Sequence, residues 1–586
     1  MNMTLRYKVF FIFFLSCNIL QAQVNLIHFP QDYEVVCRNL SNNKGYVQIE
    51  FELNSNNNPL DISLKKIKNQ AKNSFIIIPY SMQANGNYLF KMTDSIDAGL
   101  IDYAYELSYQ NELIKSANSI CAGDYYIIYG QSNAVASSKG TSCASDLSPY
   151  IRTFGTISQT QIDNNWKIAV GDSINDNGFI GQLGVSFGNQ IIKNEKIPVC
   201  IINGSIGGKS ISYFLRNESL GQNNLNNAYG RLMNRIIQSN SQQMIRALLW
   251  YQGENDAVIP TEKEEYIKMN LKLFEQFHED YPHLENIYMF QIKNACSQDR
   301  ISNNIIQQAQ LEVANQCPSV HLISTGDISL SKDNCHYNYE NGYNVLGKRA
   351  YMLANHFQYN HPNTEYDFYP NPTKINSYQS EVLLFFNPAS KINFDSKCAL
   401  SDFYLNDNTN PISIKTKMNA IILTFNKKIE PNDLISYTNI YKSSPCFIFN
   451  NVNNQILAFH NLKIDTTFDT QLLPYFNSKN ENSELESSDI SPNTNFWKTD
   501  SKTKYKISVP IHSKELNIIN NTNEDIKLEF NLYNTNGDEV LSKQLVARPG
   551  RLTYPLYEIA SGLYLFNFKV KSKSIIDVTS FLANIP

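Results

Sequence analysis

The sequence predicts a three-layer α/β/α domain set between all-β modules, and three observations carry that expectation. Compact apolar runs alternate with segments of helical period in the middle of the chain; period-two alternation precedes them; β patterning returns after them. A chain of 586 residues exceeds what one core normally supports, so several domains are expected.

The modules follow in order. Arg6 and Lys8 precede an apolar run from Val9 to Leu20 that meets Gln21-Ala22-Gln23. A basic start, an apolar stretch too short to span a bilayer and a small residue at the cut predict a secretory signal peptide over 1–22, with no stable membrane insertion. From 23 to 120, runs such as Tyr46-Val47-Gln48-Ile49-Glu50-Phe51-Glu52-Leu53 stand between turn clusters such as Asn54-Ser55-Asn56-Asn57-Asn58-Pro59. This alternation predicts a small β-sandwich.

Over 121–358 the expected strands are Tyr125 to Tyr129, Val199 to Asn203, Ala247 to Tyr251, Ile287 to Gln291 and Val320 to Ser324. Helical periods fall between them, at Gln182 to Ile192, Ala228 to Ser239, Glu262 to Phe277 and Ile305 to Ala314. Such alternation predicts βαβ crossovers and a mostly parallel sheet, whose ligands gather at the carboxyl ends of the strands. A β-rich domain is expected over 359–476, a polar linker over 477–505 and a final β-sandwich over 506–586.

Composition narrows the function. The formal charge of -4 offers no electrostatic footprint for a polyanion, so nucleic acid is not an expected partner. Nine of the ten cysteines lie beyond the signal segment. They form no CxxC pair and have no histidine at ligand spacing, so no zinc site is indicated. Export permits disulfides, but an odd number leaves one thiol unpaired and the sequence does not assign the pairs.

The reactive residues sit where the sheet should place them. The first strand ends in Gly130-Gln131-Ser132-Asn133; a serine just past a buried strand, beside a glycine that permits a sharp turn, presents its hydroxyl at the sheet's edge. Far downstream, Asp333-Asn334-Cys335-His336 precedes a helical segment from Gly342 to Ala350. At that spacing a carboxylate holds one imidazole nitrogen while the other faces a serine.

Gly130-Gln131-Ser132-Asn133 resembles the nucleophile block of SGNH hydrolases, in the branch of sialate O-acetylesterases and acetyl xylan esterases (carbohydrate esterase family 6-like, the SASA domain). Trp250-Tyr251-Gln252-Gly253-Glu254-Asn255-Asp256 resembles that branch's His-Gln-Gly-Glu block, with Tyr251 in the histidine position. Asp333 and His336 match its terminal Asp-x-x-His block, and Gly207-Gly208-Lys209-Ser210 is similar to its Gly-Gly-Thr turn.

The resemblance implies a flavodoxin-like α/β/α hydrolase domain and a secreted carbohydrate O-acetylesterase that needs no metal or other cofactor. Ser132 is the expected nucleophile and His336 the base, with Asp333 favoured as the acid and Glu254 as the alternative. The oxyanion donors would be the N–H groups of Ser132 and of Gly207 or Gly208, with a side-chain amide from Gln252, which the resemblance favours, or from Asn255, since Gly253-Glu254-Asn255-Asp256 also resembles the Gly-x-Asn-Asp block of the wider superfamily. Gln131, Asn133 and Tyr251 are expected at the substrate. The partner would be an O-acetylated carbohydrate.

His28-Phe29-Pro30 and the sandwich after it resemble the N-terminal β-domain of sialate esterases. In the last module, Glu515 to Ile519, Phe530 to Gly537 and Ser561 to Phe566 resemble the sorting domain of the Bacteroidetes type IX secretion system. That implies the secretion machinery as a partner and release or retention at the cell surface. Val509-Pro510-Ile511-His512 stands where the usual Tyr-Pro-Asn-Pro opening would be, and Tyr369-Pro370-Asn371-Pro372 lies well upstream. A carbohydrate-binding or fibronectin-like sandwich is the alternative there. For the whole chain, the alternatives are a lipase or short-acyl esterase on the same scaffold and a non-catalytic glycan-binding surface protein.

Overall fold

The computed structural model describes residues 24–70, 72–156, 163–297, 299–359, 369–387, 392–393, 400–417, 420–437, 448–450, 454–467, 472, 495–497, 505–509, 515–520, 525–533, 539–556, 559, 562–571 and 576–585. The expected signal segment, most of the expected linker and Pro510 to His512 lie outside them. Two compact units divide the chain, 1–478 and 479–586.

The first unit is built on a mostly parallel sheet. Its strands are β1 (Glu112–Gly130), β2 (Ile151–Phe154), β3 (Trp166–Ile168), β4 (Val199–Asn203), β5 (Ile245–Tyr251), β6 (Asn286–Phe290) and β7 (Val320–Ile323). The spatial order is β3-β2-β4-β1-β5-β6-β7, and only the β2–β3 pair is antiparallel. The chain thus steps outward from β1 on one side and then crosses to build the other. That makes the carboxyl end of β1 a topological switch point, where a crevice opens between diverging connections.

Both faces of this sheet are covered. Helices α1 (Gln182–Glu195) and α5 (Asn344–Phe357) pack together on one side; α2 (Ala228–Gln238), α3 (Lys263–Asp280) and α4 (Arg300–Gln316) occupy the other. Tyr126 meets Phe187 of α1 edge to face, whereas Tyr129 meets Phe277 of α3. Strands sandwiched this way have no solvent face, which is why β4 reads Val-Cys-Ile-Ile-Asn with every residue buried. Among the described residues no helix is long and apolar enough to cross a membrane.

The β-domains follow the expected patterning, with two differences. In Lys44–Leu53, Val47, Ile49, Phe51 and Leu53 are buried and alternate with exposed or half-buried residues. However, β1 runs for 19 residues, so the expected boundary at 120/121 falls inside one strand. Its first half pairs with Tyr103–Tyr109 of the N-terminal module and its second half with β4 and β5. The module after α5 also packs into the same core: Gln291, at the end of β6, exchanges two hydrogen bonds of 2.9 Å with the backbone of Ala458.

Tyr369-Pro370-Asn371-Pro372 leads into the strand Asn371–Tyr378 of the first unit, not into the last module. The second unit holds two antiparallel four-stranded sheets around Leu516, Ile518, Ile526, Leu528, Phe530 and Leu532. Asn495–Trp497 is a strand paired with Tyr505–Val509, so the expected linker ends earlier than 505.

Candidate active site

Four loops leave the carboxyl ends of β1, β4, β5 and β7 and meet above the sheet. At the end of β1, Gly130 takes a φ of 134°, and a side chain there would overlap the Tyr251 carbonyl. Glycine is therefore required for the chain to turn against β5. Ser132 follows, half-buried, at the start of a short helix, Ser132–Val135.

The loop after β4 lies directly over this turn. Ile206 donates its N–H to the Gly130 carbonyl at 3.0 Å, and a Cβ on Gly207 would sit 3.5 Å from the Ser132 Cβ. Asn203, fully buried, donates to the carbonyls of Ala134 and Ile180 at 2.9 and 2.8 Å. It thereby locks the serine's helix to the end of β4. Asn203 carried no motif signal beyond its place at a strand end. Among the described residues, no acceptor takes the N–H of Ser132, Gly207 or Gly208.

The loop after β5 separates the two amides that the sequence left open. Gln252 is buried, and its amide nitrogen is taken by the Asp256 carboxylate, with Gln131 Oε1 and the Lys209 carbonyl at 3.4 Å. Its carbonyl oxygen accepts from the Tyr266 hydroxyl at 3.0 Å. Asn255 is half-buried, and among the described residues its side-chain amide has no partner.

Gln131 Oε1 also accepts from the N–H groups of Gly253 and Asn255 at 3.2 and 3.1 Å. Gln131 thus shapes this loop from inside. The expectation that Gln131, Asn133 and Tyr251 face substrate does not fit their burial: 3%, 1% and 0% exposed, respectively. Tyr251 stacks on Phe290 and shares a 2.7 Å hydrogen bond with the Tyr337 hydroxyl.

Asn133 connects two loops. Its amide nitrogen donates to Glu254 Oε1 at 2.7 Å and to the Cys335 carbonyl at 3.2 Å, while its oxygen accepts from the Tyr343 hydroxyl at 3.0 Å. Glu254 is buried, and among the described residues its other carboxylate oxygen has no partner. Burial pushes the Glu254 carboxyl up to about 7, against the opposing pull of the Asn133 hydrogen bond.

A measurable consequence follows for stability. The unfolded chain sheds this proton near pH 4.5 and the folded one near pH 7. The stability that this group contributes is therefore complete below pH 4.5 and is lost as the pH rises to about 7, an effect of about 3 kcal/mol. Denaturant titrations should show Glu254→Gln gaining on the wild type by that amount between about pH 4 and about pH 8. Parallel pH profiles for the two proteins would contradict the burial of an ionisable carboxyl here.

The fourth loop carries the imidazole. His336 Nδ1 lies 2.7 Å from Asp333 Oδ2. Burial alone would raise the Asp333 carboxyl. The His336 N–H, the Ser331 hydroxyl, the His336 ring and the Cys335 N–H outweigh it, and hold the acid well below the usual carboxylate range. Asp333 is thus an anion at neutral pH, and Lys139 Nζ stands 3.8 Å from it. His336 Nε2 is buried and has no partner among the described residues. The carboxylate on the imidazole is Asp333, and Glu254 bonds Asn133 instead.

The sequence did not show one covalent tie at this loop. Cys335, next to His336, is joined in a disulfide to Cys296 in the loop after β6. Cys37, Cys121, Cys143, Cys200 and Cys317 are free thiols.

Known proteins resemble this domain in both sequence and fold. Residues 122–357 match the family model described as carbohydrate esterase, sialic acid-specific acetylesterase. A carbohydrate acetylesterase from Xanthomonas citri aligns at 16% identity and a TM-score of 0.52, over 74% of this chain and 99% of its own. At that identity the likeness shows the fold. A protein from Arabidopsis thaliana, 19% identical, aligns over 39% of this chain and 97% of its own at a TM-score of 0.32. No curated protein sequence matches. Residues 122–357 are thus similar in sequence to the carbohydrate-esterase family, and their fold is the three-layer α/β/α fold of a carbohydrate acetylesterase.

Proposed function

We propose that the chain is an exported carbohydrate O-acetylesterase that works through an acetyl-enzyme on Ser132. One observation carries this reading: an imidazole fixed by a carboxylate on one nitrogen, with the other unclaimed among the described residues, on a loop that Asn133 bonds to the serine's own helix. A histidine serving only structure would have both nitrogens engaged or in water.

The reaction follows from the site. Ser132 Oγ attacks the acetyl carbonyl as His336 Nε2 takes its proton, and Asp333 stabilises the imidazolium that forms. The carbonyl oxygen becomes negative and is met by the free N–H groups of Ser132 and Gly207, assisted by the amide of Asn255. His336 then returns the proton to the departing sugar hydroxyl. Water, activated by the same imidazole, displaces acetate and frees Ser132.

Asn255 is favoured over Gln252 because only its amide is uncommitted. Asn255→Ala should lower kcat by about 10²–10³ with KM little changed. Gln252→Ala should chiefly lower Tm, because it opens a cavity and removes one of the buried donors that Asp256 accepts from. If the kinetic loss falls on Gln252 alone, the donors are the reverse.

Acetate release over a panel of O-acetylated sialic acids, acetylated xylan and pectin tests the activity. Release from at least one, abolished in Ser132→Ala, supports it; hydrolysis of long acyl esters in preference to acetate overturns it in favour of a lipase. Export through the N-terminal segment and sorting by the last sandwich belong to the same reading. Deleting 506–586 should then leave the chain inside the cell envelope in a fractionation assay, and unchanged release would refute it.

A further inference from the structure

We propose that the Cys296–Cys335 disulfide is a positioning device for His336, so that esterase activity depends on the thiol redox state of this one pair. The inference rests on the reading of His336 as the base.

Residue 336 is held first by its own loop. Its loop is closed on itself: Ser331 N–H donates to the His336 carbonyl at 2.7 Å, and Asp333 Oδ1 accepts from the N–H groups of Cys335 and His336 at 3.0 and 2.9 Å. These bonds set the shape of the loop but not its place against the helix that begins at Ser132. From outside, Cys335 has two ties among the described residues. One is the 3.2 Å hydrogen bond from Asn133 to its carbonyl; the other is the disulfide.

Cys296 is itself a firm anchor. Its loop follows β6 at the centre of one half of the sheet. The next residue, Ser297, gives its carbonyl to the buried Asn303 of α4 at 3.0 Å. The disulfide therefore couples the imidazole's loop to the sheet and to α4, independently of β7, from which the loop grows. A neutral hydrogen bond is worth about 1 kcal/mol net, so without the disulfide residue 335 keeps only the Asn133 bond of its own, and the next firm anchor is the buried Tyr337. A displacement of about 1 Å at a catalytic group costs on the order of 100-fold in rate.

The chemistry balances with a dithiol reductant. Its two sulfurs exchange in turn with the Cys296–Cys335 bond, which breaks. Two electrons and two protons pass to the cysteines, and the reductant leaves as its own disulfide. Oxidised glutathione reverses the step. A chain still in a reducing compartment would hold the loop open and gain full activity only once exported to an oxidising one.

The test uses the full chain, as wild type and as Cys296→Ser/Cys335→Ser, with p-nitrophenyl acetate. Dithiothreitol should lower wild-type kcat on the order of 100-fold, with KM little changed, and oxidised glutathione should restore it. The double variant should start at the lowered kcat and ignore the reductant. Unchanged wild-type kcat on reduction overturns the proposal, as does an equal response of the double variant, which would place the effect at other cysteines.

If the double variant fails to fold, the reversible wild-type response decides alone. The His336 imidazole resonance gives a readout that does not need turnover: it should shift and broaden on reduction while far-UV circular dichroism holds. If the oxidised chain hydrolyses no ester, the esterase reading has failed. An unmoved His336 resonance then refutes the positioning role separately.

Discussion

Replacing Ser132 with alanine should lower kcat for p-nitrophenyl acetate by roughly a million-fold, while KM and Tm stay close to wild type. Removing the hydroxyl leaves no cavity of consequence, because Ser132 is half-buried and its hydroxyl has no partner among the described residues. The free N–H groups around it would still polarise a bound ester, so a small residual rate over buffer is expected. A fluorophosphonate probe should label the wild type and not this variant. Retained activity in Ser132→Ala would move the chemistry elsewhere in the chain.

Asp333→Asn should cost about 10⁴ in kcat. The carboxylate fixes the His336 tautomer by accepting from Nδ1 at 2.7 Å, and an amide there can present a donor instead and turn Nε2 into the wrong form. The loop would also suffer, since Asp333 Oδ1 accepts from two backbone N–H groups and from the Ser331 hydroxyl. Asparagine keeps an oxygen for those bonds, so folding should survive. Glu254→Gln provides the contrast. It lies on Asn133 rather than on the imidazole, and a loss in kcat matching that of Asp333→Asn would exchange the two acids' roles.

Much of this arrangement was legible because it depends on local patterning. Apolar runs doubly covered by helices marked β4, β5, β6 and β7. The turn into Ser132 was marked by Gly130, which no other residue can replace against the Tyr251 carbonyl. Asp333 and His336 were legible for the same reason, being three residues apart and bonded within one loop.

What escaped depends on contacts between distant segments. β2 was missed because its Ile-Arg-Thr-Phe sequence places an arginine mid-strand. That arginine is 1% exposed, and its charge is met by the Pro149 and Ser119 carbonyls and by Asp102. Two overlapping motif readings point to different amides, the family block to Gln252 and the Gly-x-Asn-Asp block to Asn255. Only the burial of Asp256 beside Gln252 separates them. The disulfide joins cysteines 39 residues apart with no local spacing to mark the pair. Asn133 and Gln131, adjacent to Ser132, looked like substrate contacts, whereas their side chains bond the loops that frame it.

The most direct test of the account is to trap the intermediate. The full chain is mixed with an acetyl ester, quenched in acid within the first turnover, digested and read by mass spectrometry. The account requires one added acetyl group, on the peptide that carries Ser132, appearing with the burst of alcohol and vanishing as acetate is released. Steady acetate release with no acetyl group ever found on Ser132 would contradict it.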